Sequence, residues 1–157
     1  MNIKLIAIGK TDNKNLQSLM DEYQKRLSFY IKFDLEIIPD IKNAKNLSET
    51  QQKEKEGELI LNKLAPTDFL FLLDENGKSF GSVEFASELQ KKMNSGIKTL
   101  VFVIGGPYGF SEAVFQKAQQ KISLSKMTFS HQMVRLFFIE QVYRGFTILR
   151  NEPYHHQ

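Results

Sequence analysis

Apolar and polar positions along this chain switch between two rhythms. Ile3, Leu5, Ile6 and Ile8 form a short apolar run that stops at Gly9, which predicts a buried strand. Leu16, Leu19, Met20, Tyr23 and Leu27 then recur at helical spacing between charged residues, predicting an amphipathic helix over about 14–29. Phe33, Leu35 and Ile37 alternate with polar residues as far as Pro39, a second strand. Residues 40–57 are almost free of apolar side chains. Ser48 and Gln51 stand in capping-box spacing, so a helix starts there, with Leu59, Ile60 and Leu64 anchoring its later turns. Residues 40–47 read as a loop. Phe69 to Leu73, between Asp68 and Asp74, has the length and flanks of a fully buried strand, and Asn76-Gly77 is a turn dipeptide. A helix is expected over about 82–94, with Phe85, Leu89 and Met93 inward and Gly96 closing it. Leu100 to Ile104 is the next buried strand, Ser111 caps a short helix, and Ile122 with Leu124 marks a last short strand. Ser130 caps a long helix over about 131–149.

Strands alternating with helices imply an α/β architecture with a largely parallel sheet. No internal repeat or linker interrupts the pattern, so residues 1–157 read as a single domain. Pattern alone goes no further than a doubly wound α/β fold.

Composition narrows the setting. No stretch approaches the ~18 apolar residues of a membrane span. The start, MNIKLIAIGK, lacks a signal-peptide pattern. With no cysteine there is neither a disulfide nor a thiolate metal site, which fits a cytoplasmic protein. The net charge of +3 is mild but unevenly placed. From Phe115 onward six Lys/Arg stand against two Glu; residues 1–114 carry fifteen against sixteen acidic residues. All three histidines, His131, His155 and His156, lie in the same final segment. That bias raises the expectation of a nucleic-acid partner. Lys42 and Lys45 add two charges to the 40–47 loop, whose composition is first that of a solvated loop.

Two motifs carry candidate chemistry. Gly105-Gly106-Pro107-Tyr108-Gly109 follows a buried strand and precedes a helix, where glycines let backbone amides approach a ligand. Its glycines are misplaced for a dinucleotide fingerprint, and no Lys-Ser/Thr follows, so it is not a P-loop. Taken alone it is a strand-to-helix turn. The second motif is SLSKMTFSHQMVRLFFIEQVYRGFTILRNEPYHH, residues 123–156. Within it Glu140 and Arg144 sit four apart, the spacing of a mutual ion pair. Met133, Phe137, Phe138, Val142, Phe146 and their neighbours cover nearly the whole circumference of the last helix. A helix apolar all round is buried on more than one side, by the sheet and by a partner, or wholly within a monomer core. His155-His156 is too short a cluster for a metal.

Together with TLVFVIGGPYGF, residues 99–110, this run resembles the SPOUT class of RNA methyltransferases, and within it the RlmH family. The resemblance covers nearly the whole chain. It implies a SPOUT-type parallel-sheet α/β fold with a C-terminal deep trefoil knot, an exception to the rule against knots. It implies a homodimeric enzyme that transfers a methyl group from S-adenosylmethionine, without a metal, to N3 of a pseudouridine in large-subunit (23S) ribosomal RNA. The mild basic surface in turn suggests weak affinity for bare RNA and hence a preference for a shaped particle, the assembled ribosome. The family's cofactor positions fall on Leu73, Gly105, Leu124, Ser125, Lys126, Met127, Thr128 and Phe129. Phe129 faces the sulfonium or belongs to the core.

For that reaction a protein must supply position and a deprotonated nitrogen. His131, at the start of the last helix, is the candidate for orienting the base or moving its proton; the plainer role is a helix-cap histidine. Arg135, one turn on, is the candidate for holding a phosphate or an enolate oxygen, against a surface salt bridge. The tail, by the resemblance, closes the neighbouring subunit's site, with Tyr154 stacking on the target base and His155 reaching its edge. A rival reading is a non-catalytic ribosome-binding factor using the basic C-terminal face. A tRNA-acting SPOUT enzyme would need a separate RNA-binding domain, and a Rossmann reductase the missing fingerprint.

Overall fold

The computed structural model describes residues 1–156. Five strands form one sheet in the order β2-β1-β4-β3-β5, and every neighbouring pair is parallel. They are β1 (Asn2–Ile8), β2 (Phe33–Ile38), β3 (Phe69–Ser79), β4 (Thr99–Ile104) and β5 (Gln120–Ser123). Between and after them come α1 (Lys14–Leu27), α2 (Glu49–Asn62), α3 (Ser82–Asn94), α4 (Glu112–Lys117) and α5 (Met133–Leu149). Helix α5 packs on α1 and α3, and α2 meets α4.

The period of two along each strand sorts the core into two layers. Ile3, Leu5 and Ala7 of β1, with Leu100, Phe102 and Ile104 of β4 and Phe71 of β3, share one apolar cluster with Met20, Phe85 and Phe138. The intervening residues Ile6, Ile8, Leu70, Leu72, Val101 and Val103 join Ile60 and Val114 in the other. Both faces are therefore covered, as a parallel sheet requires. On the α5 side an aromatic column crosses from sheet to helix. Phe71 stacks on Phe102 at 4.9 Å between ring centroids, and Phe102 meets Phe138 at 4.6 Å. Such pairs contribute about 0.5–1.5 kcal/mol beyond the area they bury.

Helix starts follow local chemistry. Asn13 accepts from the amides of Asn15 and Leu16, and Ser48 with Gln51 forms the expected capping box. The 40–47 loop includes one 3-10 turn, Ala44–Asn46. Among the described residues, no helix is long and apolar enough to cross a membrane.

The structure departs from the sequence reading at the edge beside β5. Asn76-Gly77 does not end β3. The strand bulges out after Leu73 and resumes at Lys78, and both residues pair with Ile122. A Cβ on Gly77 would stand 2.6 Å from the Ile122 amide nitrogen, so only glycine lets the two backbones approach this closely. A strand bounded by turn signals hides such a bulge, because bulges and turns use the same residues. β5 ends at Ser123, one residue before Leu124. Helix α5 begins at Met133 rather than His131, although the Ser130 hydroxyl accepts from the Met133 amide at 3.0 Å, much as a cap would.

Gly77→Ala is expected to cost about 1–3 kcal/mol, since neither backbone can yield without breaking the β3–β5 pairing. Gly96→Ala, which meets only open space but has φ +80°, should cost about 1–2 kcal/mol from backbone strain alone. Urea titration of the two variants checks this. Unchanged stability in either variant, or β5 amides still protected from exchange in Gly77→Ala, would contradict it.

Candidate active site

The carboxyl ends of β3, β4 and β5 open into a cleft of about 530 Å³. Three segments wall it: Leu73–Asn76 from the bulge in β3, Ile104–Phe110 after β4, and Ser123–Phe129 after β5, except for Lys126. His131 and Val134 close one side, and Lys53 of α2 reaches it from the other. Ligands of open α/β sheets bind outside the carboxyl ends of the strands, and the volume suits a nucleoside-sized molecule.

Each wall has a local cause. Gly106 and Gly109 form an isolated bridge, with the Gly109 amide donating to the Gly106 carbonyl at 3.2 Å. Gly109 has φ +83°, the left-handed conformation that favours glycine. The 123–131 segment is held by its own hydroxyls. Ser123 Oγ donates to the Ser125 carbonyl at 2.8 Å, and Ser125 Oγ accepts from the Met127 amide at 3.0 Å. Phe129 packs on Phe137 at 5.1 Å between ring centroids while still facing the cleft. Phe129 thus belongs to the wall and to the α5 packing at once.

Of the expected cofactor positions, Leu73, Gly105, Leu124, Ser125, Met127, Thr128 and Phe129 line this one cleft. Lys126 is exposed and lines none of it. His131 does line it.

Arg135 points elsewhere. It is 1% exposed, among the most buried large side chains of the protein. Its Nη2 donates to the Ile8 carbonyl at 2.8 Å and its Nη1 to the Gly9 carbonyl at 2.7 Å. Thr11 Oγ1 and the His131 carbonyl take two further bonds, at 3.2 and 3.1 Å. Neither the phosphate contact nor the surface salt bridge read from sequence describes it. Burial pushes this guanidinium below its ordinary value, partly offset by Asp40 and Asp12. Gln132 ties down the same junction, accepting from the Asp12 amide and donating to the Lys10 carbonyl.

Tyr154 and His155 also lie outside the cleft of their own chain. Tyr154 donates to Glu140 Oε1 at 2.8 Å, lies 3.3 Å from the Tyr23 hydroxyl, and sets its ring edge-on to Tyr143. Burial, with the bonds to Tyr23 and Glu140, holds this phenol above its ordinary value. Arg144 bonds Glu140 through Nε and Nη2, the mutual pair read from their spacing, and lies 3.2 Å from His155 Nδ1 through Nη1. Two residues before Tyr154, Glu152 accepts from Tyr30, a bond that raises Tyr30 to about 12. The tail is thereby moored along α1 and α5. Glu140 also borders a second hollow of about 330 Å³, which shares Ser123, Leu124 and Phe129 with the main cleft.

Sequence reasoning missed several residues. Asp74, Glu75 and Asn76 reach the cleft only because β3 bulges. Lys53, and Glu56 behind Gly106, come from a helix with no motif. Among the described residues, no group of three or more His, Cys, Asp or Glu is placed to hold a metal.

The family model described as "Predicted SPOUT methyltransferase" matches residues 1–155. Ribosomal RNA large subunit methyltransferase H of Flavobacterium johnsoniae is 83% identical over 157 residues, all of both chains. Its counterpart in Christiangramia forsetii is 66% identical over the same full span. The chain belongs to the RlmH family of SPOUT methyltransferases. A solved SpoU methyltransferase, AviRb of Streptomyces viridochromogenes in complex with AdoMet, aligns over 91% of this chain and 57% of its own, at a TM-score of 0.44 and 12% identity. That likeness is too loose to inform the site. For this RlmH-family chain, the cleft walled by the 73–76, 104–110 and 123–129 segments is the candidate active site.

Because four Arg135 bonds fix the start of α5, Arg135→Met is expected to lose about 2–4 kcal/mol in urea unfolding, by stranding buried carbonyls. Arg135→Lys should recover only part of it, since one ammonium cannot span those acceptors. Wild-type stability in the Met variant would show that the clamp does not matter.

Proposed function

We propose that this protein is a homodimeric, cytoplasmic enzyme that transfers a methyl group from S-adenosylmethionine to N3 of a pseudouridine in 23S ribosomal RNA, acting on the assembled large subunit or ribosome. The observation that carries the reading is convergence. Segments far apart in sequence, each matching the family's cofactor loops, wall one cleft of about 530 Å³. The names of the full-length relatives specify large-subunit ribosomal RNA; the position and atom come from the family resemblance.

The residues present fit that cofactor. Leu73, Ile104, Leu124 and Phe129 offer apolar walls for an adenine ring, and the 105–109 and 124–129 backbones offer hydrogen bonds. Asp74 and Glu75 set acceptors on the rim for hydroxyls or a cation. Bound there, S-adenosylmethionine would supply a methyl group already activated by its sulfonium charge. The protein's own task is then to orient the acceptor and ease loss of the N3 proton. His131 is the titratable side chain beside the cleft suited to that step. Arg135 acts through it as a positioning residue, holding the His131 carbonyl and the end of β1 together.

The dimer completes this account. Tyr154 and His155 lie on the α1–α5 side, away from their own cleft, where they can serve a partner's. Met133 and Phe137 stay 47% and 36% exposed on α5, apolar surface that a second copy would cover. The deep knot is part of the same proposal. It is supported by a chain that leaves the β5 edge, passes the 104–110 turn at the shared cleft, and returns to pack α5 on α1.

Three measurements test this. Titration calorimetry should detect S-adenosylmethionine binding, and silence at millimolar ligand would remove the cofactor. Ribosomes from a deletion strain should lack one methyl on a large-subunit pseudouridine; an unchanged mass map would remove the substrate, and RNA binding without methyl incorporation would favour a non-catalytic ribosome-binding factor. His131→Ala should slow transfer about 100-fold near neutral pH and recover as alkali removes the N3 proton unaided. A deficit constant with pH would make His131 a positioning group.

A further inference from the structure

Carboxyl groups are almost never fully buried without a partner. Glu56, on α2, is 3% exposed. Its Oε2 accepts from Gln52 Nε2 at 3.3 Å, while its buried Oε1 has no hydrogen-bond partner among the described residues. A Cβ built on Gly106 would fall 2.5 Å from both carboxyl oxygens. The carboxyl therefore rests on the Gly106 α-carbon, and Gly106 lines the cleft. Lys53, one turn earlier on α2, reaches the cleft directly. About one residue's thickness separates the unpartnered oxygen from the cofactor space.

The surrounding charges do not neutralise it. Burial pushes the Glu56 carboxyl up; the Gln52 bond draws it down, and Asp40, of like sign, pushes it up again. The Arg135 guanidinium is committed to Ile8, Gly9, Thr11 and His131. Lys53, on α2 itself, and Asp74, Glu75 and His131, from other segments, face the cleft. The proton on Glu56 thus depends on what charge enters the cleft. A cation there favours the carboxylate, and a neutral molecule does not.

We propose that Glu56 is the charge-sensing residue of the cleft: it seats the Gly105–Gly109 turn and releases its proton to solvent when a cationic methyl donor is bound, but keeps it beside the neutral thioether product. This deepens, and rests on, the reading of the cleft as a S-adenosylmethionine site. The sign follows from linkage. Because the free protein holds the Glu56 proton to higher pH than the cation-bound protein does, affinity for the cation rises as pH rises between those two titrations. Affinity for the thioether stays nearly flat.

Calorimetry of the full-length protein in two buffers of different ionisation enthalpy, between about pH 5 and pH 8, reads this proton directly. S-adenosylmethionine should release more protons than S-adenosylhomocysteine, with its affinity rising about threefold to tenfold across the range. Glu56→Gln should remove that excess and flatten the profile while leaving S-adenosylhomocysteine binding unchanged. It should also melt no lower than wild type at neutral pH, since a neutral amide of the same shape replaces a neutral buried acid whose Oε1 has no partner among the described residues. Glu56→Asp, which keeps the acid, should restore part of the proton release. His131→Ala, measured in parallel, should keep the excess proton release. An excess that persists in Glu56→Gln, or equal release with both ligands, overturns the proposal alone. Failure of wild type to bind S-adenosylmethionine overturns the cofactor reading and this proposal with it.

Discussion

A buried guanidinium joins the start of the last helix to the end of the first strand. Arg135 lies 126 and 127 residues from the carbonyls of Gly9 and Ile8 that it bonds, and it bonds the His131 carbonyl as well. Burying a charge is unfavourable unless donors meet acceptors, and here they do. Once the start of α5 is fixed, the chain between Ser123 and Met133 has little freedom: β5 pairs with β3 at one end, and the clamp and Gln132 hold the other. The cleft exists because that short span must cross beside the Gly105–Gly109 turn.

Legibility in the sequence followed the range of the interactions. Strands and helices were readable because their apolar periods reflect burial on two sheet faces, as in the alternation of Leu100 and Val101 between two clusters. Caps such as Ser48 with Gln51 were readable because both partners lie within one turn. The bulge after Leu73 was not. It depends on how closely β5 approaches Gly77, and nothing local encodes that approach. Arg135 read as a group for a phosphate or enolate oxygen, or for a surface salt bridge, and its clamp stayed hidden for the same reason, since its acceptors come from the other end of the chain.

The candidate site divides similarly. Most cofactor positions came through family resemblance, and the cleft gathers all of them except Lys126. Spacing had no means of finding Asp74, Glu75, Lys53 or Glu56, which a bulge and an unmarked helix deliver. The tail has a different logic. Tyr154 and His155 are moored to Glu140 and Arg144 on the flank of α5, away from their own chain's cleft, and the proposed function gives them work in a neighbouring subunit's. The same mooring would preorganise them for it, lowering the entropy lost on meeting a substrate.

Hydrogen–deuterium exchange with and without S-adenosylmethionine tests the central claim most directly, because it maps the ligand onto the backbone. The account predicts slowed exchange confined to residues 73–76, 104–110 and 123–131, with the 40–47 loop unchanged. Protection centred on any other segment, or none in these three, would contradict it.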